Sequence, residues 1–103
     1  ISRRLGSILM TYKLVFKEEA LKEWKKLEPL IREQFKKKLI ERLDAPHVES
    51  AKLRGMKDCY KIKLQSAGYR LVYQVRDLEI VVSVVAVGKR DRNQVYKAAL
   101  SRL

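Results

Sequence analysis

The chain has 103 residues, enough for one domain with a small but workable core, and its apolar fraction of 47% argues against disorder. Charge is the anomaly: 24 Lys and Arg against 12 Asp and Glu leave a net charge of +12, beyond the roughly 2–8 that solubility asks of a small domain. An excess of that size favours a polyanionic partner, nucleic acid ahead of an acidic protein or an anionic membrane surface.

Residues 1–9 fit no element and read as an artificial extension, with Met10 opening the domain proper at residues 10–103. Residues 12–16 are short and rich in β-formers, a first strand. From Glu18 the period changes: Ala20, Leu21, Trp24 and Leu27 recur at helical spacing, and Glu18, Glu19 and Glu23 suit the positive end of a helix dipole. Pro29 stands where a second helix begins, Ile31, Phe35, Leu39 and Leu43 form its apolar stripe, and Ala45-Pro46 ends it. Residues 60–64 alternate, with Tyr60, Ile62 and Leu64 on one side and Lys61 and Lys63 on the other. A turn at Gln65-Ser66-Ala67-Gly68 leads into a second alternating strand at 69–76. Asp77-Leu78-Glu79 turns the chain into residues 80–87, apolar on both faces and therefore a central strand ended by Gly88. Asp91 and Gln94 have capping-box spacing before a last short helix with Val95, Tyr96, Ala99, Leu100 and Leu103. The order β-α-α-β-β-β-α predicts an α+β domain. Its four-stranded sheet is expected to be antiparallel, with a helical hairpin on one face and a short C-terminal helix, leaving Lys61, Lys63 and Arg70 on the other face.

The residue types present exclude much chemistry. One His and one Cys, without an Asp-x-Asp or Glu-x-x-His pattern, offer no metal site, and no cofactor is expected. His47 reads as a solvated loop residue, and Cys59 as a small buried hydrophobe that forms no internal disulfide. Gly55, Gly68 and Gly88 are isolated and make no phosphate loop. The longest apolar run, 80–87, falls short of the roughly 18–20 residues of a membrane span. Residues 1–9 have arginines but no adequate apolar stretch for a signal peptide, so the expected location is the cytoplasm, with no membrane partner.

What remains is cationic. Lys52, Arg54, Lys61, Lys63, Arg70, Arg76, Lys89 and Arg90 are interleaved with Tyr60, Tyr69, Tyr73 and Tyr96. Lysines at i and i+2 on a strand lie roughly 7 Å apart on one face. Crowding disfavours their protonated form, so one of them can accept a proton, while arginines hold phosphate bidentately. Against an RNA backbone these parts suffice for attack of a 2′-hydroxyl on its own phosphorus without metal. Spacing alone still favours phosphate binding without chemistry. Tyr96 reads either as a core residue at the spacing Tyr96–Leu100–Leu103 or as a platform on which a base stacks.

The chain resembles the RelE-type toxins of the RelE/ParE superfamily of bacterial type II toxin–antitoxin pairs. The resemblance rests on ALKEW at 20–24, REQFKKKL at 32–39, KLRGMKDCYKIKL at 52–64, GYRLVYQV at 68–75 and VGKRDRNQVY at 87–96, and it covers residues 10–103. It implies a microbial-ribonuclease-like fold and a ribosome-dependent messenger-RNA endoribonuclease that cuts the A-site codon to a 2′,3′-cyclic phosphate and a 5′-hydroxyl. By matching position, Lys61 takes the 2′-hydroxyl proton and Lys63 and Arg70 hold the phosphate. Arg90 serves the leaving group, Tyr96 stacks on the base, and Arg54 is a further basic residue near the site. Lys52, Arg76 and Lys89 are expected to hold RNA. Implied partners are the 70S ribosome with its 16S rRNA, mRNA, a RelB-type antitoxin and, through that antitoxin, operator DNA. Two other readings stay open: a non-catalytic RNA-binding domain, and a ParE-like toxin with another target such as DNA gyrase, whose members generally lack the set Lys61, Lys63, Arg70, Arg90 and Tyr96.

Overall fold

The structure is a computed structural model and describes residues 11–91 and 93–103. The expected extension at residues 1–9 lies outside them. Strand β1 (Lys13–Phe16) leads into α1 (Glu18–Lys25) and α2 (Pro29–Asp44). After a 3-10 turn at Glu49–Ala51 come β2 (Cys59–Leu64), β3 (Tyr69–Arg76), β4 (Val81–Lys89) and α3 (Gln94–Arg102). The predicted element order holds throughout. Acidic Glu18 and Glu19 open α1, Lys22 and Lys25 close it, and Pro29 occupies the first turn of α2, as helix electrostatics and the fixed φ of proline favour. The expected capping box does not form. Asn93 caps α3 with φ 59° and no side-chain bond, and the Gln94 N–H donates to the Asp91 carbonyl at 2.9 Å.

The sheet has the order β1-β4-β3-β2, which places β4 in the interior as its two apolar faces require. One expectation is corrected: the sheet is mixed, not wholly antiparallel. β2, β3 and β4 form the expected antiparallel meander, but β1 runs parallel to β4, from Lys13 opposite Val81 to Phe16 opposite Val84. The cause is where the helical hairpin returns the chain. The Tyr12 N–H donates to the Leu43 carbonyl at 2.9 Å, so α2 ends beside the start of β1. β2 therefore sets out from the same end of the sheet as β1. Two tight turns then reverse the chain twice, and β4 runs alongside β1 in the same direction.

The hairpin covers one sheet face. Ala20, Leu27, Ile31, Phe35 and Leu39 are buried there against Tyr60, Ile62, Leu71, Tyr73, Val82 and Val84, and the Trp24 ring lies 5.2 Å from Phe16 and 6.3 Å from Phe35. Tyr73 is buried in full. Its hydroxyl donates to the Pro46 carbonyl at 2.8 Å and accepts from Arg42 at 2.7 Å, so the phenol enters the core without an orphaned polar atom. A second, smaller core lies on the opposite face, where α3 sets Val95 and Ala99 on Cys59, Val72, Val85 and Ala86. Burial pushes the Cys59 thiol up to about 11, the behaviour of an inert core residue.

β4 contains a bulge. Val72 pairs with Ala86 but Tyr73 with Val84, leaving Val85 as an extra residue, and both Val85 and Ala86 face α3. Strand alternation is shifted by one beyond this point, with consequences for the cations that follow.

Candidate active site

α3 covers only part of its sheet face, and the uncovered part is where β2 and β3 carry their cations. Antiparallel register sets Lys63 directly opposite Arg70 and Lys61 opposite the buried Val72. The alternation that sends Tyr60, Ile62 and Leu64 into the core sends both lysines to this face. Lys63 is exposed, Lys61 and Arg70 half-buried. Like charge holds the Lys63 amine below the ordinary lysine range. The Lys61 charge is the largest cause, followed by lost solvent, Arg70, a hydrogen bond with Lys61 and the charge of Arg90.

Arg90 joins from β4. Its N–H donates to the Gly68 carbonyl at 2.8 Å, tying the end of β4 to the β2–β3 turn. The bulge decides which residue arrives. With the alternation shifted, Gly88 pairs with Arg70 on the basic face and Lys89 pairs with Tyr69 on the hairpin side. Tyr96 comes from the first turns of α3. It is half-buried against the smaller core, and the Arg70 guanidinium sits 5.2 Å from its ring centroid. Arg70 also donates to Asn93 Oδ1 at 3.4 Å. Tyr96 thus combines both sequence readings, with one edge in the core and the ring at the border of the cation cluster.

Five expected residues, Lys61, Lys63, Arg70, Arg90 and Tyr96, therefore meet at one end of the sheet. The other four are dispersed. Arg54 lies exposed in the 53–58 loop, whose Leu53 and Met56 pack on the same face. Lys52 bridges to Tyr60 at the outer edge of β2. Lys89 occupies the hairpin side. Arg76 stands six residues along β3 from Arg70, roughly 20 Å away, and is bound to Glu79 at 2.6 Å. Sequence reasoning passed over Asn93 and over Arg42, which donates to the Lys61 carbonyl at 3.3 Å and steadies the edge strand beneath the cluster. Asn93 had one legible signal, since asparagine tolerates the left-handed backbone that opens α3. His47 is exposed in a connector as expected, but is held by Asp77 at 2.9 Å. Among the described residues no three His, Cys, Asp or Glu side chains gather as a metal site.

The family model for the ParE toxin of the type II toxin–antitoxin system parDE matches residues 14–94. The mRNA interferase toxin RelE of Escherichia coli K12 is 61% identical over 94 residues, 91% of this chain and 99% of that protein. The chain belongs to the RelE/ParE family of type II toxins. A double-arginine variant of E. coli RelE in the free state superposes with a TM-score of 0.85 at 58% identity, covering 91% of this chain and 99% of that one. The toxin in the intact E. coli RelBE toxin–antitoxin complex matches with a TM-score of 0.76 at 63% identity, over 79% of this chain and 99% of that chain. The fold is thus that of the RelE/ParE toxins, and Lys61, Lys63, Arg70 and Arg90 fall within the span that the family model matches.

Proposed function

We propose that the basic face cuts messenger RNA in the ribosomal A site by attack of a 2′-hydroxyl on the adjacent phosphorus, without metal. The chain is an mRNA interferase toxin of a type II toxin–antitoxin pair. The observation that carries the chemical reading is the gathering of Lys61, Lys63, Arg70 and Arg90 beside Tyr96.

The depressed amine favours Lys63 as the base, a role the family resemblance gave to its neighbour Lys61. Lys63 takes the 2′-hydroxyl proton, the 2′-oxygen–phosphorus bond forms, and the phosphorus–5′-oxygen bond breaks. Lys61 and Arg70 bind the non-bridging oxygens as negative charge grows on them. Arg90 stabilises the departing 5′-oxygen through charge-assisted hydrogen bonds, since a guanidinium gives up its proton too reluctantly to act as an ordinary acid, and that oxygen takes its proton from solvent water to become the 5′-hydroxyl. Tyr96 stacks on a codon base, a contact worth roughly 1–3 kcal/mol, and Arg54 and Lys52 extend the cationic track for the RNA backbone.

The remaining positive surface binds 16S rRNA of the 70S ribosome, and a RelB-type antitoxin with an acidic segment covers the same charge. With that antitoxin the toxin contacts operator DNA. The setting is the cytoplasm; no helix of the described residues is long and apolar enough to cross a membrane. The ParE-like alternative, another target on the same fold, is supported by the family model alone, whereas the five-residue cluster favours the nuclease.

Ribosomes programmed with a messenger and an empty A site test this, with cleavage mapped by primer extension. Cuts within the A-site codon are expected. Intact messenger at saturating protein overturns the nuclease reading, and equal cutting of naked messenger overturns ribosome dependence.

A further inference from the structure

β1 borders β4 only as far as Val84, because the chain leaves the sheet at Lys17 to begin α1; the last contact is the Lys17 N–H to the Val84 carbonyl at 2.9 Å. Beyond Val84 the same edge of β4 carries backbone groups with no strand beside them among the described residues, at the very place where the bulge distorts the ladder. Two side chains from opposite faces of the sheet fill the gap. Glu23 of α1 accepts the Val87 N–H at 3.2 Å, and Arg102 of α3 donates to the Val85 carbonyl at 3.0 Å. The two are also joined to each other in a fork, Nη1 to Oε1 and Nη2 to Oε2, both at 2.9 Å. The pair is well sheltered, with the Arg102 side chain 15% exposed and that of Glu23 33%.

We propose that Glu23 and Arg102 are positioning residues for the cleavage reaction: they stand in for the missing strand beside Val85 and Val87 and so hold the bulge that delivers Arg90 to the basic face. Neither touches the cation cluster. Their effect runs along β4, three residues from Val87 to Arg90, and along α3, from Arg102 back to Tyr96. The fork requires both its ends. The Val85 carbonyl needs a donor and the Val87 N–H needs an acceptor, so the donor–acceptor polarity of the pair matters more than its charge. The inference rests on the nuclease reading above.

Four forms are compared with the parent on programmed ribosomes: Arg102→Met, Glu23→Gln, the exchange Glu23→Arg with Arg102→Glu, and Arg32→Met. The last removes another half-buried arginine, which donates to the Leu27 carbonyl at 2.6 Å far from β4, and controls for loss of stability. All are assayed at a temperature where circular dichroism shows them folded. Arg102→Met is expected to slow single-turnover cleavage by about 10–100-fold, as small displacements of catalytic groups do, with half-saturation by ribosomes unchanged and Val87 amide exchange accelerated. Glu23→Gln keeps the acceptor and is expected to retain most of the rate. The exchanged pair restores the ion pair but not the backbone bonds, so it is expected to stay as slow as Arg102→Met. Cleavage by Arg102→Met within twofold of the parent, a loss no greater than that of Arg32→Met, or rescue by the exchanged pair overturns the proposal. A parent protein that fails to cut overturns the nuclease reading itself.

Discussion

A lysine can serve as a base only if its amine sheds a proton more readily than an isolated lysine does. At Lys63 the means is crowding, with Lys61 on the same strand face and Arg70 directly across the ladder. Because the shift comes chiefly from like charge, it should respond to substitution. In single-turnover cleavage the rate is expected to rise with pH up to a break below the ordinary lysine value of 10.5, and Lys61→Met should move that break upward by removing the largest cause. A break that stays put in Lys61→Met would take the base role from Lys63. The sign for stability follows from the same shift. The folded state holds the Lys63 proton less tightly than the unfolded chain, so its contribution is unfavourable while both are protonated and is relieved as pH climbs through the depressed folded value. Arg90→Ala is expected to leave ribosome binding largely intact while cleavage falls by orders of magnitude; an equal loss of binding would make Arg90 a mere electrostatic anchor. Arg76→Ala, by contrast, should leave cleavage within about twofold, since that guanidinium is engaged by Glu79 and lies roughly 20 Å along the strand. These distinctions were only partly legible in the sequence. Period-two alternation set Lys61, Lys63 and Arg70 on one face, but nothing in it separated Arg76 or Lys89 from the cations that matter.

At the scale of elements, apolar periodicity carried most of the information, because each strand and helix buries the stripe its spacing displays. Phe35 is the central example: it lies in the α2 stripe, is 0% exposed, and packs beside Trp24. Phe35→Ala should cost about 3–5 kcal/mol, read as a fall in the urea midpoint. The turns were less legible. Ile80 closes the β3–β4 turn with φ 55°, a left-handed conformation that a β-branched side chain adopts at a cost. At 36% exposed, Ile80 keeps close to two thirds of its surface covered, and that burial offsets the cost of the turn. The bulge at Val85 left no mark in the sequence either. Val81–Val87 contains five valines and would satisfy either register, and the packing of α3 on Val85 and Ala86 selects the one observed.

For the molecule as a whole, net charge sets reach and tertiary structure sets aim. The +12 excess acts over a distance comparable to the screening length and predicts affinity for ribosomes that falls steeply, by at least about tenfold, between about 50 and 200 mM salt. Binding indifferent to salt would mean that shape, not phosphate neutralisation, dominates the contact. The sequence by itself determined the element order, the interior position of β4, the apolar faces and the cationic strand face, because local periodicity and composition are properties of neighbours along the chain. Only the tertiary structure decided that β1 runs parallel to β4, that α3 lies on the basic face, and that Arg90 and Tyr96 join Lys61, Lys63 and Arg70 while Lys89 and Arg76 do not. Those outcomes depend on where α2 returns the chain, on one extra residue in β4, and on a Glu23–Arg102 fork between side chains 79 positions apart. No local pattern records them, since each is settled by contacts that exist only once the sheet and its two covers have come together.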